Sequence, residues 1–339
     1  MSSLSSRKNK SLVMRTTCGI LALLFMAGCQ TIRTRKDVPK QPAPRPGQPT
    51  PPVQIGQPPI PDRDEDEEVA EVPPAPPPPP APVIPSMPKI GIILGGGGAK
   101  TFAHIGFLHE LSRAKVPVQA IGGVEFAAPM AALFANKGLA NDVEWQMFKL
   151  KDEEVLKKSL LGASSKNVDV TNLRDFLNVA FNRAKPDDFR VPFACPAYSL
   201  KKNQVYLMNR GSVDQVMYQC MAYPPFFKPY EGVVAGVRDI SALANYLRSR
   251  GANFIVFVNV LQPPSAGKAY VPDAAGTDNV LWAEIAGSYN KPLPGIDSVV
   301  SLETSGYGIM DFDKRREIMA KGADSAARQL KTLTRKWGL

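Results

Sequence analysis

The chain has 339 residues, a formal net charge of +10 and 33 prolines. This length accommodates one large domain or two small ones. The basic balance suits an anionic lipid surface or nucleic acid, but the sequence has no recognition-helix signature, aromatic RNA-binding motif or zinc-ligand spacing, which argues against nucleic acid and against a metal site.

The first 28 residues have the pattern of a secretory signal peptide. Basic residues from Arg7 to Arg15 precede an apolar run, 19–27, that is too short to span a bilayer. The run ends at Ala27-Gly28-Cys29, which resembles a bacterial lipobox. We predict cleavage before Cys29 and acylation of this residue, and an ordinary signal peptide is the alternative.

A lipidated Cys29 would anchor the chain, because each buried CH₂ group contributes about 0.8 kcal/mol. Gln30 follows the cysteine, as in lipoproteins sorted to the outer membrane, so we expect the periplasmic face of that membrane. Residues 29–88 are rich in Pro and predict a linker without a core. Its acidic run, 62–68, is a solvated cluster or a docking site for a basic partner.

Residues 89–339 have the pattern of a globular domain in which strands and helices alternate. We predict strands at 90–94, 118–121, 191–199, 204–208, 253–260 and 298–302. We predict helices at 102–114, 128–136, 142–149, 171–181, 213–222, 240–250, 280–288 and 312–331. Alternation of this kind predicts an α/β fold, with helices packed on a mainly parallel sheet.

Two pairs of residues receive structural assignments from this pattern. Trp145 and Trp282 fall on predicted helices, where core packing is the expectation. Cys195 and Cys220 are interpreted as two separate buried residues, although an oxidising compartment would also permit a disulfide.

A glycine-rich turn follows the first predicted strand. In Gly95-Gly96-Gly97-Gly98-Ala99-Lys100, backbone amides can point into a concavity and hold a phosphate, a carboxylate or an oxyanion. The turn lacks the ending of a P-loop and the acidic partner of a dinucleotide site, so no cofactor is predicted. Lys100 adds a cation to the turn or is solvated.

The second predicted strand leads into Gly123-Val124-Glu125-Phe126-Ala127 and a helix. A strand, a sharp turn and a helix form the nucleophile elbow, which normally reads Gly-x-Ser-x-Gly. Here Glu125 replaces the serine and Ala127 replaces the last glycine.

From about residue 89 to residue 331 the sequence resembles the patatin-like phospholipase family. The resemblance is carried by GIILGGGGAKTFAHIGFLHEL, IGGVEFAAPMAALFA, QCMAYPPFFKPYEG and VVAGVRDISALANYLRSRGANFIVFVNV. It implies a three-layer α/β/α fold and a Ser-Asp dyad that cleaves lipid esters. It also implies that the oxyanion hole or ligand site consists of Gly96, Gly97, Gly98, Ala99 and Lys100.

The dyad itself does not carry over. The nucleophile position is Glu125, the acid position is Ala235, and the last glycine of the turn motif is Thr101. Removal of both reacting groups should leave only residual effects of binding. Of the remaining polar residues, Asp239 is predicted to cap a helix, His104 to be structural and His109 to face solvent.

Two positions are open for the Glu125 side chain. It folds back into the oxyanion hole as a mimic of an acyl product, which would lower its pKa, or it points to solvent or pairs with Lys100.

Three functions follow. The protein is an inactive pseudoenzyme that binds an acyl or lipid ligand or an envelope partner, an acyl hydrolase that uses relocated residues, or a tether whose domain is a docking block.

Overall fold

The computed structural model describes residues 88–158, 164–165, 168–262 and 277–338. The predicted signal peptide, Cys29 and the predicted linker up to residue 87 lie outside the described residues. Within the described ranges, no helix combines the length and apolar character needed to cross a bilayer.

A seven-stranded sheet forms the centre of the domain. Its strands are β1 (Ile90–Leu94), β2 (Val118–Gly123), β3 (Phe193–Ser199), β4 (Gln204–Met208), β5 (Val233–Ala235), β6 (Phe254–Asn259) and β7 (Ser298–Ser301). The order is β4-β3-β2-β1-β6-β7, and β5 pairs with β3. Strands β1, β2, β3, β6 and β7 run parallel, whereas β4 and β5 are antiparallel to β3. The mainly parallel sheet predicted from the sequence is therefore confirmed.

Helices cover both faces of the sheet and complete the three-layer α/β/α architecture. They are α1 (Ala103–Arg113), α2 (Ala127–Lys137), α3 (Ala140–Met147), α4 (Asp152–Val155), α5 (Arg174–Phe181), α6 (Val213–Met221), α7 (Ile240–Ser249), α8 (Thr277–Tyr289) and α9 (Arg315–Trp337). On one face, Leu243 and Leu247 of α7 fill the space above Gly122 and Gly91 of the sheet.

Helices α1 and α9 pack closely against each other. A Cβ at Gly106 would lie 2.3 Å from the Met319 carbonyl oxygen, and a Cβ at Gly322 would lie 2.3 Å from the Ala103 carbonyl oxygen. The two glycines thus allow the backbones to touch, which anchors the long C-terminal helix beside the elements that follow β1.

The differences from the sequence prediction are local. The helix predicted at 102–114 is preceded by a 3₁₀ turn, Gly98–Phe102, and α1 begins at Ala103. Strand β5 and helix α4 were not predicted, because three or four residues carry too little periodicity. A pair of two-residue strands, Lys157–Lys158 and Ser164–Ser165, also lies apart from the main sheet.

Two assignments of single residues were wrong. Cys195 and Cys220 form a disulfide, with their Cα atoms 5.9 Å apart, because α6 packs against β3. Trp145 is 64% exposed, since α3 turns this position away from the core, whereas Trp282 is fully buried as predicted.

Candidate functional site

The glycine-rich turn and the elbow meet at the carboxyl ends of two neighbouring strands. Strands β1 and β2 are parallel, with Leu94 opposite Gly123, so the segments that follow them emerge side by side. The Val124 amide donates to the Leu94 carbonyl oxygen at 3.0 Å and continues this pairing beyond the strands. The sheet therefore brings the two predicted motifs together.

Glu125 has the backbone conformation of an elbow. Its φ of 55° lies in the left-handed region, which residues other than glycine enter at a cost. The position thus keeps the geometry that would present a nucleophile, although its side chain is not a nucleophilic alcohol. Glu125 is fully buried, and so are the neighbouring residues of the turn.

The Glu125 carboxylate folds back onto the glycine-rich turn. Its Oε2 atom accepts hydrogen bonds from the Gly97 and Gly98 amides, each at 3.0 Å. Of the two alternatives drawn from the sequence, the inward position is confirmed, and the solvent-facing position is wrong. Two convergent amides beside an elbow are the arrangement that stabilises an oxyanion in acyl transfer, and a side-chain oxygen fills it here.

The pKa of Glu125 is raised to about 7, because burial of the carboxylate dominates. The amides of Gly98, Phe126 and Gly97 oppose this rise and only partly offset it. The expectation of a lowered pKa was therefore wrong, since removing the charge from water costs more than these amides return. Oε1 has no hydrogen-bond partner among the described residues, which adds to the cost of ionisation.

The other predicted members of the oxyanion segment face different partners. The Ala99 amide donates to the Ile309 carbonyl oxygen at 2.7 Å. The Gly96 backbone interacts with the Tyr289 hydroxyl. Burial raises the pKa of this hydroxyl, and the hydrogen bond with the Gly96 backbone partly opposes the rise.

Lys100 is buried rather than solvated. Burial lowers its pKa to about 8, and the negative charges of Asp311 and Glu303 oppose this shift.

The predicted acid position offers no base. Ala235 is 2% exposed in β5, where its amide donates to the Ala222 carbonyl oxygen. Asp239 stands at the N-cap position of α7 but makes no side-chain capping bond, so the capping prediction was wrong. Its Oδ2 instead lies over Gly236, 2.8 Å from where a Cβ would be, and burial raises its pKa.

The two histidines have other partners than Glu125. His104 is buried, with Nε2 2.7 Å from the Gly95 carbonyl oxygen, and burial lowers its pKa to about 4, in keeping with a structural role. His109 does not simply face solvent, because its Nε2 lies 2.8 Å from Glu144 Oε2. Within the described ranges, no cluster of His, Cys, Asp or Glu could hold a metal ion.

A cluster of buried aromatic rings packs on the glycine-rich turn and covers the site. The ring of Phe126 lies 5.0 to 5.6 Å from those of Phe226, Phe227 and Phe312. A Cβ at Gly98 would lie 2.3 Å from Phe226 Cζ, so the cluster rests directly on the turn. Phe226 and Phe227 lie in one of the segments that resemble the family, but no role was predicted for their rings, because sequence does not show what packs on the turn.

Residues 92–234 match the family model described as patatin-like phospholipase, a range that includes the turn and Glu125. Lysophospholipase nte1 of Aspergillus fumigatus is 23% identical over 266 residues, covering 69% of this chain and 18% of that protein. Patatin-like phospholipase domain-containing protein 7 of Mus musculus is 25% identical over 210 residues, covering 57% of this chain and 15% of that protein. The chain thus spans less than a fifth of the length of these relatives.

Among solved structures, VipD from Legionella pneumophila aligns with a TM-score of 0.45 and 13% identity, covering 72% of this chain and 67% of that chain. The strand-turn-helix order, the elbow geometry of Glu125 and the match over residues 92–234 agree. Residues 92–234 therefore have the sequence of a patatin-like phospholipase domain, a type of domain found in lipid acyl hydrolases.

Proposed function

We propose that this protein is a membrane-tethered patatin-like pseudoenzyme that binds a lipid or an envelope partner without hydrolysing esters. The observation that carries the proposal is the Glu125 carboxylate, whose Oε2 takes the hydrogen bonds of the Gly97 and Gly98 amides. An ester carbonyl bound at the elbow would need these same amides for its developing oxyanion.

The chemistry of the elbow also argues against turnover. A carboxylate that attacked an ester would form an anhydride, and Ala235 supplies no base to activate water or another nucleophile. Both groups of the dyad are replaced, and the effects of such groups on rate are not independent. The amides of the turn cannot stabilise an oxyanion as long as the Glu125 carboxylate accepts their hydrogen bonds.

The closed site favours recognition at the surface of the domain over deep binding of an acyl chain. Glu125, Phe226 and Phe227 are fully buried, so an acyl ligand that reached the turn would have to displace the aromatic cluster. An envelope partner that contacts the outside of the domain requires no such rearrangement.

The proposed location is the periplasmic face of the bacterial outer membrane, reached through a lipid on Cys29. The lipobox-like sequence supports the anchor, and the Cys195–Cys220 disulfide supports an oxidising compartment. Labelling with a radioactive fatty acid tests the anchor, because Cys29→Ser should abolish incorporation, whereas Cys18→Ser should leave the mature product labelled.

The test of inactivity uses the purified full chain. It is assayed on short-chain and long-chain esters and on phospholipids, treated with a fluorophosphonate probe, and extracted for mass spectrometry of bound lipid. We expect no turnover and no covalent label. Turnover that Glu125→Ala abolishes, or a labelled side chain, would overturn the proposal in favour of a hydrolase with relocated residues. Bound lipid without turnover identifies a lipid ligand, and its absence directs the search to a protein partner.

A further inference from the structure

A shallow groove lies on the surface where α3 meets the first turns of α9. It is lined by Asn141, Glu144, Trp145, Phe148, Arg316 and Met319. Trp145 is 64% exposed in this groove. Among the large hydrophobic side chains that are exposed in the described residues, Trp145 is the aromatic one, and Trp is enriched where a membrane meets water.

Cations lie over both aromatic rings of the groove. Lys149 Nζ is 4.7 Å from the centre of the Trp145 ring, and the Arg316 guanidinium is 5.6 Å from the centre of the Phe148 ring. Glu144 is the acidic residue of the lining, and it is engaged with His109. A Trp ring beside Lys and Arg is typical of residues at the level of lipid headgroups, where the ring meets the acyl boundary and the cation meets phosphate.

The groove adjoins a helix with an excess of exposed positive charge. Arg316 and Met319 belong to α9, whose exposed charged positions are six basic and two acidic. The basic positions are Arg316, Lys321, Arg328, Lys331, Arg335 and Lys336, and the acidic ones are Glu317 and Asp324. This excess of positive charge complements an anionic surface.

We propose that the Trp145 groove and the exposed cations of α9 together dock onto the anionic headgroup surface of a phospholipid bilayer. The rings of the groove enter the interface, and the α9 cations lie against lipid phosphates. The inference rests on these surface residues, and neither the lipidation of Cys29 nor the inactivity of the elbow is needed for it.

Intrinsic fluorescence isolates the residue that carries the proposal. The chain has three tryptophans, and Trp282 and Trp337 are 0% and 8% exposed, so Trp145 is the one that a bilayer can reach directly among them. The full chain is mixed with vesicles of brominated phosphatidylcholine, with or without phosphatidylglycerol. We expect quenching with the anionic vesicles, little with the zwitterionic ones, and loss of the quenched signal in Trp145→Phe. An anchor on Cys29 would act in both vesicles alike, so the contrast between them carries the test.

Charge variants provide a second measurement. In vesicle sedimentation, Arg328→Gln/Lys331→Gln should weaken binding to anionic vesicles by about fivefold per removed cation. The matched control is Lys201→Gln/Lys202→Gln, which removes two exposed cations from the turn between β3 and β4 and should leave binding unchanged. Unquenched Trp145, equal quenching in both vesicles, or equal weakening by the two double variants would overturn the proposal and leave the groove to a protein partner.

Discussion

The Glu125 carboxylate accepts a hydrogen bond from the Gly97 amide at 3.0 Å, across 28 residues of sequence. This contact joins the elbow to the glycine-rich turn, whose amides would otherwise be free to bind an oxyanion. The carboxylate takes up these amides in an internal hydrogen-bonded contact. The same carboxylate is fully buried, so the contact also places a titratable group in the core.

The first prediction concerns pH and the substitution Glu125→Gln. The pKa of Glu125 is raised to about 7 from 4.5, so between these values the folded state holds a proton that the unfolded state has released. The wild-type protein therefore loses stability from this group as pH rises from 4.5 to about 7, and the change is complete above pH 7. The loss is on the order of 3 kcal/mol. Glu125→Gln removes it.

His104 acts in the opposite direction in an overlapping window. Its pKa is lowered from 6.5 to about 4, so the unfolded state binds the extra proton and this group adds stability as pH rises from 4 to 6.5. Urea unfolding at several pH values should show a stability advantage of Glu125→Gln that grows up to pH 7. Glu153→Gln, at an exposed position, is the control. A difference between Glu125→Gln and wild type that does not change with pH would contradict the prediction.

The second prediction concerns restored chemistry. Glu125→Ser frees the Gly97 and Gly98 amides, and Ala235→Asp returns a carboxylate to the acid position. We expect weak hydrolysis of p-nitrophenyl acetate by the double variant and little of long-chain esters, because the Phe226 ring still covers the turn.

Glu125→Ser/Ala235→Asn is the matched control, since Asn has nearly the shape of Asp but cannot act as a base. Equal activity in the two double variants would show that the aspartate contributes nothing. A fluorophosphonate label on Ser at position 125 would report a reactive nucleophile independently of turnover.

The third prediction tests the close packing on the glycine-rich turn. Gly98 has φ 55°, and an added Cβ would lie 2.3 Å from Phe226 Cζ and 2.5 Å from the Ile309 carbonyl oxygen. Gly98→Ala should therefore lower the free energy of unfolding by about 3 kcal/mol, from backbone strain and overpacking together.

Gly211 separates these two causes. It has φ 99°, but a Cβ there would meet nothing within 4 Å. Gly211→Ala should lose about 1 kcal/mol from backbone strain alone. Denaturant unfolding measures both variants, and equal losses would mean that the aromatic cluster does not rest on the turn.

The fourth prediction concerns the Cys195–Cys220 disulfide, which closes a loop with a sequence separation of 25. Cys195→Ser/Cys220→Ser should lower the free energy of unfolding by about 3 kcal/mol, because the unfolded chain gains freedom. Reduction of the wild-type protein should shift its thermal midpoint toward that of the double variant. A reductant should leave the variant itself unchanged, and a wild-type midpoint insensitive to reductant would count against the disulfide.

The sequence by itself determined the order of most of the strands and helices, and it predicted that the two positions of the dyad are replaced. The apolar runs of β1 and β6 predicted central strands, because a strand covered on both faces must be apolar along its length. The elbow was readable because its strand, turn and helix are contiguous, and the replacements at Glu125 and Ala235 were predicted from residue identity alone.

Only the tertiary structure decided what these residues do in the fold. The inward position of Glu125, the direction of its pKa shift and the pairing of Cys195 with Cys220 depend on groups that are distant in sequence. Phe226 lies more than 100 residues from the turn it covers, and the burial of Glu125 outweighs the effect of the nearby amides on its pKa. Local periodicity determines secondary structure. The balance between burial and hydrogen bonding depends instead on tertiary packing, which buries the Glu125 carboxylate and leaves Trp145 exposed.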